Sequence, residues 1–579
     1  MKTNLNISYI KGYAFGLSHP SLLISSNEKF SYRGCLGLVD DSSGIDSEIC
    51  IDDSLLRLVK DYTSLWDFVA FSGASNFLFY SSSKVFLSNP FLPSSKAVEL
   101  IDSMLKIDCL GDSDVRTDSV NELVKEAKAF LPSDQNTIHF LKAARELGIS
   151  WRILLRIKGK HFIQYGEGAR LSLMNSSLSD LESPLGVSIV KNKSITSQYL
   201  HSLGYPIQPH ICVSSVDYAL TFAHEQFPVV VKPVGADRGE GVEVDIRTEN
   251  DLKVIAESLL KQYKTIMVEK YISAIDYRLY VFQGQLIWAH RRVPPRLTGD
   301  GVKSISKLLE VENLRRLSAD SSLKPIPEDR NFSQCLEDQG LNPDSILPLG
   351  ISCKVGSLGL VSRGGHTEAC YGEVHPDNAE LAIDCCRQVG ICLGGVDLLI
   401  PDISISWRKS VAHICEINAV PQLGTMTQSH LYKLILESLV KNKCLPSILI
   451  ILASGSSYME SLRKWLSDLS LLMGFHIWSS WSVSNNKVNP LFDRRADSCV
   501  ALMRCEDVFT IGAPLMRFDQ VFVDQMISNS VSANQLKCFS QYCTENVLTE
   551  FESEESLKTM LLPALSLLYQ RKNNFDSLA

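Results

Sequence analysis

Residues 229–242, Val-Val-Val-Lys-Pro-Val-Gly-Ala-Asp-Arg-Gly-Glu-Gly-Val, constrain the fold more than any other stretch of this chain. The β-branched run predicts a strand, and Lys232-Pro233 ends it because proline has no N–H to give a ladder. Gly235, Gly239 and Gly241 let the backbone bend sharply and approach an anion. The alternation over 242–246 predicts the returning strand. On these residues alone two readings stay open. One is an ordinary hairpin with a glycine-rich turn. The other is a phosphate-holding loop with the Lys232 ammonium at its entrance.

Bulk properties narrow the classes. At 579 residues, the length prior is roughly four domains or fewer large ones. Apolar content of 45% and charged content of 21% suit a globular protein with real cores. A net charge of −8 and a pI near 5.9 argue against a nucleic-acid surface. The sixteen cysteines are scattered without metal spacing and no secretory signal precedes them. We therefore expect reduced thiols in a cytoplasmic protein. The longest apolar run, near 445–453, is too short to span a bilayer, so no membrane partner is expected.

In chain order, residues 1–130 predict an N-terminal α/β domain, with strands near 69–71 and 77–80 and a helix over 97–107. A helix over 136–147 should stop at Gly148. Strand 161–165 runs into a glycine turn, and Lys191 and Lys193 precede a helix capped by Ser194 or Thr196. Further helices are expected over 219–226 and over 250–263, the second capped by Asn250 or Asp251. Strands are expected over 266–272, 276–282 and 286–290. Arg291–Arg296 with 299–301 reads as a basic Pro/Gly-rich loop, 303–350 as a polar insertion with helical segments, and 364–367 as another loop. A helix over 378–389 precedes two paired strands, 394–400 and 412–418.

Those two strands carry the sharpest chemical signal. Side chains alternate along a strand, so Glu416 and Asn418 share a face. With Asp397 on the neighbouring strand, three hard oxygen donors would converge, the ligand type of magnesium. Solvated polar residues on two strands remain the plainer reading of the same pattern.

The ordered series changes the weighing. A lysine before a helix, a lysine before a glycine loop, Val268-Glu269-Lys270-Tyr271-Ile272, an arginine in a Pro/Gly stretch, then Asp397 and Glu416-Ile417-Asn418 resemble the ATP-grasp superfamily, and within it the cyanophycin synthetases. The resemblance covers about 130–430 and includes RRVPPRLTGDG, SRGGHTEACYGEVHPDN, LGGVDLLIPDIS and CEINAVPQ. It implies an α/β (α+β) chain with an ATP-grasp domain over 131–440, including the 303–350 insertion. It implies that Lys193 and Lys232 hold ATP phosphates, with Gly239 and Gly241 in a closing loop. Glu269, Lys270, Tyr271 and Ile272 would form the adenine hinge, and Asp276 would take the ribose hydroxyls. Arg292 would stabilise the transferred phosphoryl group, while Asp397, Glu416 and Asn418 would hold magnesium, or manganese in its place. Arg278 and Arg363 are weaker candidates for a substrate carboxylate or acyl phosphate. His366 and His375 are read as structural.

The family pattern also breaks. Cyanophycin synthetases continue into a Mur-ligase-like module with a G-x-x-G-K-T loop, whereas 448–460 here keeps a strand–loop–helix pattern without Gly-Lys-Thr. We therefore expect 445–579 to be a degenerate Mur-ligase-like α/β domain without a second ATP site. The functional expectation is an ATP-dependent carboxylate–amine ligase that works through an acyl phosphate, joins an amino acid to a small acid or peptide, and assembles as a homo-oligomer, dimer or tetramer. The alternatives are a partner subunit of a cyanophycin-like polymer synthetase and a non-catalytic nucleotide-binding scaffold.

Overall fold

The computed structural model describes four N-terminal strands (5–13, 20–26, 77–81, 84–88) and most of 130–576; the masked stretches inside that span are 131, 158, 235–239, 319–323, 425–428, 441–444, 482–491, 516, 532–535, 537–538 and 546. The expected strand near 69–71, all but one residue of the expected helix over 97–107, and Gly235 and Gly239 lie outside the described residues. Backbone contacts divide the chain into two compact units, residues 1–176 with 423–579, and residues 177–422.

In the first unit, the N-terminal strands form an antiparallel sheet in the order Leu5–Tyr13, Pro20–Ser26, Lys84–Ser88, Phe77–Ser81. The helix Gln135–Leu147 starts at Asp134, whose carboxylate accepts from the Thr137 amide, and stops at Gly148 in the left-handed region. It buries Phe140 against Tyr432 of the helix Ser429–Leu439, edge to face at 4.9 Å. Farther along, five parallel strands order as His476–Ser479, Cys499–Arg504, Ser447–Leu452, Gln520–Asp524, Thr549–Phe551. After Ser447 the central strand is apolar, because both its faces are covered. Leu449 and Ile451 join one core cluster; Ile448, Ile450 and Leu452 join another with Leu462 and Leu561.

Two of the antiparallel sheets in the second unit carry most of the candidate site residues. The first has four strands in the order Glu243–Ile246, Val229–Pro233, Ile266–Lys270, His210–Val213. One face, with Val229, Val231, Ile266 and Val268, packs on the helices Val216–Ala223 and Glu249–Gln262. Strand alternation puts Val230, Lys232, Met267 and Glu269 on the opposite face. The second sheet has five strands in the order His366–Ala369, Gln285–Val293, Ile275–Phe282, Leu393–Ile400, His413–Asn418. Its core face, with Leu279, Val281, Val396 and Ile414, packs on the helix Pro376–Val389.

Several local expectations need correction. Arg291 and Arg292 belong to the strand Gln285–Val293, not to a loop, because the ladder with Tyr277 and Asp276 continues through them. His366 and Thr367 are likewise in a strand, opposite Val293 and Arg292. The Lys193–Ser202 helix is capped by Asn192, whose Oδ1 accepts from Ile195 at 3.1 Å, so Lys193 itself opens the helix. The Glu249–Gln262 helix is capped by Thr248. The segment 266–272 is a strand only to Lys270. The insertion is helical at Ile305–Ser318 and Arg330–Glu337.

Candidate active site

The five-stranded sheet lines up charge by register. Across its strands Arg292 faces Asp276, Arg278 faces Asp397, and Asp397 faces Glu416. Directly opposed residues project from the same face, so these side chains meet. Arg278 donates from Nε and Nη2 to the two oxygens of Asp397 at 2.6 and 2.7 Å. Arg292 donates from Nη1 to Asp276 at 2.6 Å and from Nη2 to Asp397 at 3.0 Å. Arg278 also lies 3.8 Å from Glu416, and Lys193 approaches Glu416 from the helix side at 3.6 Å. Asn418 donates to Glu416 at 3.1 Å. A chain of alternating charge therefore runs Asp276–Arg292–Asp397–Arg278–Glu416–Lys193.

A bulge helps to shape this face. Asp397 pairs with Glu416 but Leu398 pairs with Ile414, so Cys415 is the extra residue. Ile414 and Ile417 stay in the core while Cys415, Glu416 and Asn418 are only partly covered. Burial, with Asp276 next, pushes the Cys415 thiol well above its usual range. Asp397 is 3% exposed; burial opposes its charge, but Arg278 and Arg292 overcome it and hold the carboxyl far below the usual range. Asp276 moves the other way: burial raises it, against Arg292. Its Oδ1 is buried and accepts no hydrogen bond.

On the four-stranded sheet, Lys232 Nζ lies 2.7 Å from Glu269 Oε1. Burial works against that ammonium, yet Glu269 outweighs it and the lysine pKa is raised. Gln208 Nε2 donates to the other Glu269 oxygen at 2.8 Å. The expected hinge follows: the Lys270 amide donates to Pro209 and the Tyr271 amide to Pro228. Gly241 has φ +66°, and a Cβ there would sit 2.8 Å from Pro233 Cγ, so the backbone at Gly241 approaches the strand end closely. Arg363 is not joined to the charged chain by any described contact; it pairs with Asp329, the cap of the Arg330–Glu337 helix. His366 meets only the carboxylate of Glu368 among its described contacts, and His375 caps the Pro376–Val389 helix.

Three residues on these faces escaped the sequence reading: Gln208, His290 and Cys415. His290 sits opposite Arg278 and two residues before Arg292, on their face. Extending the strand pattern through Arg291-Arg292 would have found it. Among the described residues no three His, Cys, Asp or Glu side chains form a closed metal cage. Two carboxylates and an amide at Asp397, Glu416 and Asn418 nevertheless fit a magnesium ion that keeps water and phosphate in its shell.

Part of this unit matches known proteins in sequence. Residues 200–301 match the family described as the ATP-grasp domain of prokaryotic glutathione synthetase, and the chain thus carries an ATP-grasp domain. Over about half its length the chain is homologous to cyanophycin synthetases. That of Trichormus variabilis is 30% identical over 292 residues, 49% of this chain and 32% of that protein. A glutathione biosynthesis bifunctional protein of Mannheimia succiniciproducens is 27% identical over 290 residues, 48% of this chain and 37% of the other. Each match therefore spans about a third of the relative's own length. A solved bifunctional glutathione synthetase from Pasteurella multocida aligns at 22% identity with a TM-score of 0.40, over 59% of this chain and 50% of that one. Among the described residues no helix is long and apolar enough to cross a membrane, and no disulfide links the described cysteines.

Proposed function

We propose that the chain is an ATP-dependent carboxylate–amine ligase, forming an amide through an acyl phosphate, with one active site on the facing sheets of residues 177–422. The observation that carries this reading is the register-aligned chain from Asp276 to Lys193, beside the Lys232–Glu269 pair. Among the described residues the site offers cations and oxygen ligands and no activated nucleophile, which is what phosphoryl transfer to a substrate carboxylate requires. Lys193 and Lys232 would hold the phosphates, and Asp276 Oδ1, buried and without a donor, would accept a ribose hydroxyl. Asp397, Glu416 and Asn418 would hold magnesium, which would supply positive charge to neutralise the phosphates. Arg292 would neutralise the phosphoryl group in flight, and Arg278 would orient the acid.

A substrate carboxylate oxygen attacks the γ-phosphorus, ADP leaves, and the amine then displaces phosphate from the acyl carbon and loses a proton. Gly239 and Gly241 would close over the phosphates and keep water from the acyl phosphate. The substrates would be an amino acid and a small carboxylate or peptide, and the chain would act as a homo-oligomer. ADP release, screened over amino acids paired with short peptides, should need both partners. Glu416→Ala should lower that turnover about a hundredfold, roughly 3 kcal/mol of barrier. Undiminished turnover in that variant would remove the proposed metal set.

A further inference from the structure

We propose that Gln208 selects the nucleobase, its side-chain carbonyl accepting a hydrogen bond from the 6-amino group of adenine; this rests on the nucleotide reading above. Gln208 is only 6% exposed. Its Nε2 is 2.8 Å from Glu269 Oε2. An ionised carboxylate only accepts, so the atom facing Glu269 must be the NH₂ and the carbonyl must point away. That carbonyl, Oε1, is buried and has no hydrogen-bond partner. Leaving an acceptor buried and unmet is costly, so it calls for a donor.

The surroundings say which donor. Glu269 stands on the sheet face opposite the helix-packed core, the face that also carries Lys232. One Glu269 oxygen is held by Lys232 and the other by Gln208, so Glu269 separates the lysine end from the glutamine end. With phosphates at Lys232, a ligand reaching past Glu269 brings its base to Gln208. Each Glu269 oxygen already has a partner, whereas the buried Gln208 carbonyl has none, so it is the acceptor that gains most from an amino donor. Gln208 lies just before the edge strand His210–Val213, whose His210 pairs with Glu269. The strand ladder thus fixes its position. Adenine presents a donor at C6, whereas hypoxanthine and guanine present an oxygen, which the carbonyl would repel.

The test is equilibrium binding of ATP and of purine riboside triphosphate, which carries hydrogen at C6, to the full chain with magnesium. The wild-type chain should favour ATP by roughly tenfold. Gln208→Met, of similar volume but with no acceptor, should bring the ratio near one and leave affinity for the 6-hydrogen analogue within about threefold. Gln208→Asn, which withdraws the carbonyl by one methylene, gives a second variant and should also narrow the ratio. Equal wild-type affinities overturn the inference, as does an unchanged ratio in either folded variant. A wild-type chain that binds neither triphosphate would instead remove the nucleotide reading itself.

Discussion

At His290, burial and two guanidinium groups act in one direction. Desolvation first, then Arg278 and Arg292, lower the imidazole from 6.5 to about 3, with Asp397 alone opposing; the Tyr280 ring lies tilted beside it, 5.6 Å between centroids. The folded chain thus binds fewer protons than the unfolded one between those values. The stability from a neutral His290 is complete above 6.5 and is lost as pH falls toward 3. Between about pH 6.5 and 5 this amounts to roughly 1–2 kcal/mol. His290→Gln should flatten the pH dependence of the urea midpoint across that window, and identical slopes would contradict the placement. Most charged members of the site were legible because their order along the chain carries the family pattern. Gln208 and His290 were not, since an uncharged glutamine between two prolines and a histidine before an apparent basic loop signal nothing until the strand register is known.

Glycine placement shows the same division between elements. A Cβ on Gly359 would lie 2.5 Å from the Arg292 carbonyl carbon, and one on Gly365 would lie 2.4 Å from the Gly359 carbonyl carbon. Gly365 therefore serves backbone packing behind Arg292, through Gly359. Side-chain chemistry alone could not have revealed this. In the parallel sheet the loop after Ser447–Leu452 is closed by Asp524. Its carboxylate accepts from the Ala453 amide at 3.3 Å, Ser456 at 3.1 Å, Tyr458 at 2.7 Å and the Met526 amide at 3.0 Å. A phosphate-binding loop would aim such donors at a ligand; here a buried carboxylate takes them. Asp524→Ala should destabilise this sheet by roughly 2–4 kcal/mol, read as faster proteolysis within 445–551. Unchanged proteolysis would show that the carboxylate does not hold the loop.

For the molecule as a whole, sequence periodicity outlined most of the helices and strands of the site-bearing unit. Backbone contacts group residues 177–422 and join 131–176 to the residues after 423. Within that grouping, the Gln135–Leu147 helix has its apolar partner, Tyr432, almost three hundred residues away. Local patterning does not encode such a contact. The central claim concerns the charged face of residues 177–422, that it transfers the γ-phosphoryl group of ATP to a carboxylate. It is tested by labelling the acid identified by the ADP-release screen with ¹⁸O in its carboxylate and analysing the products by mass spectrometry. The account predicts ADP, together with inorganic phosphate carrying one labelled oxygen; label in AMP, or unlabelled phosphate beside a formed amide, would contradict it.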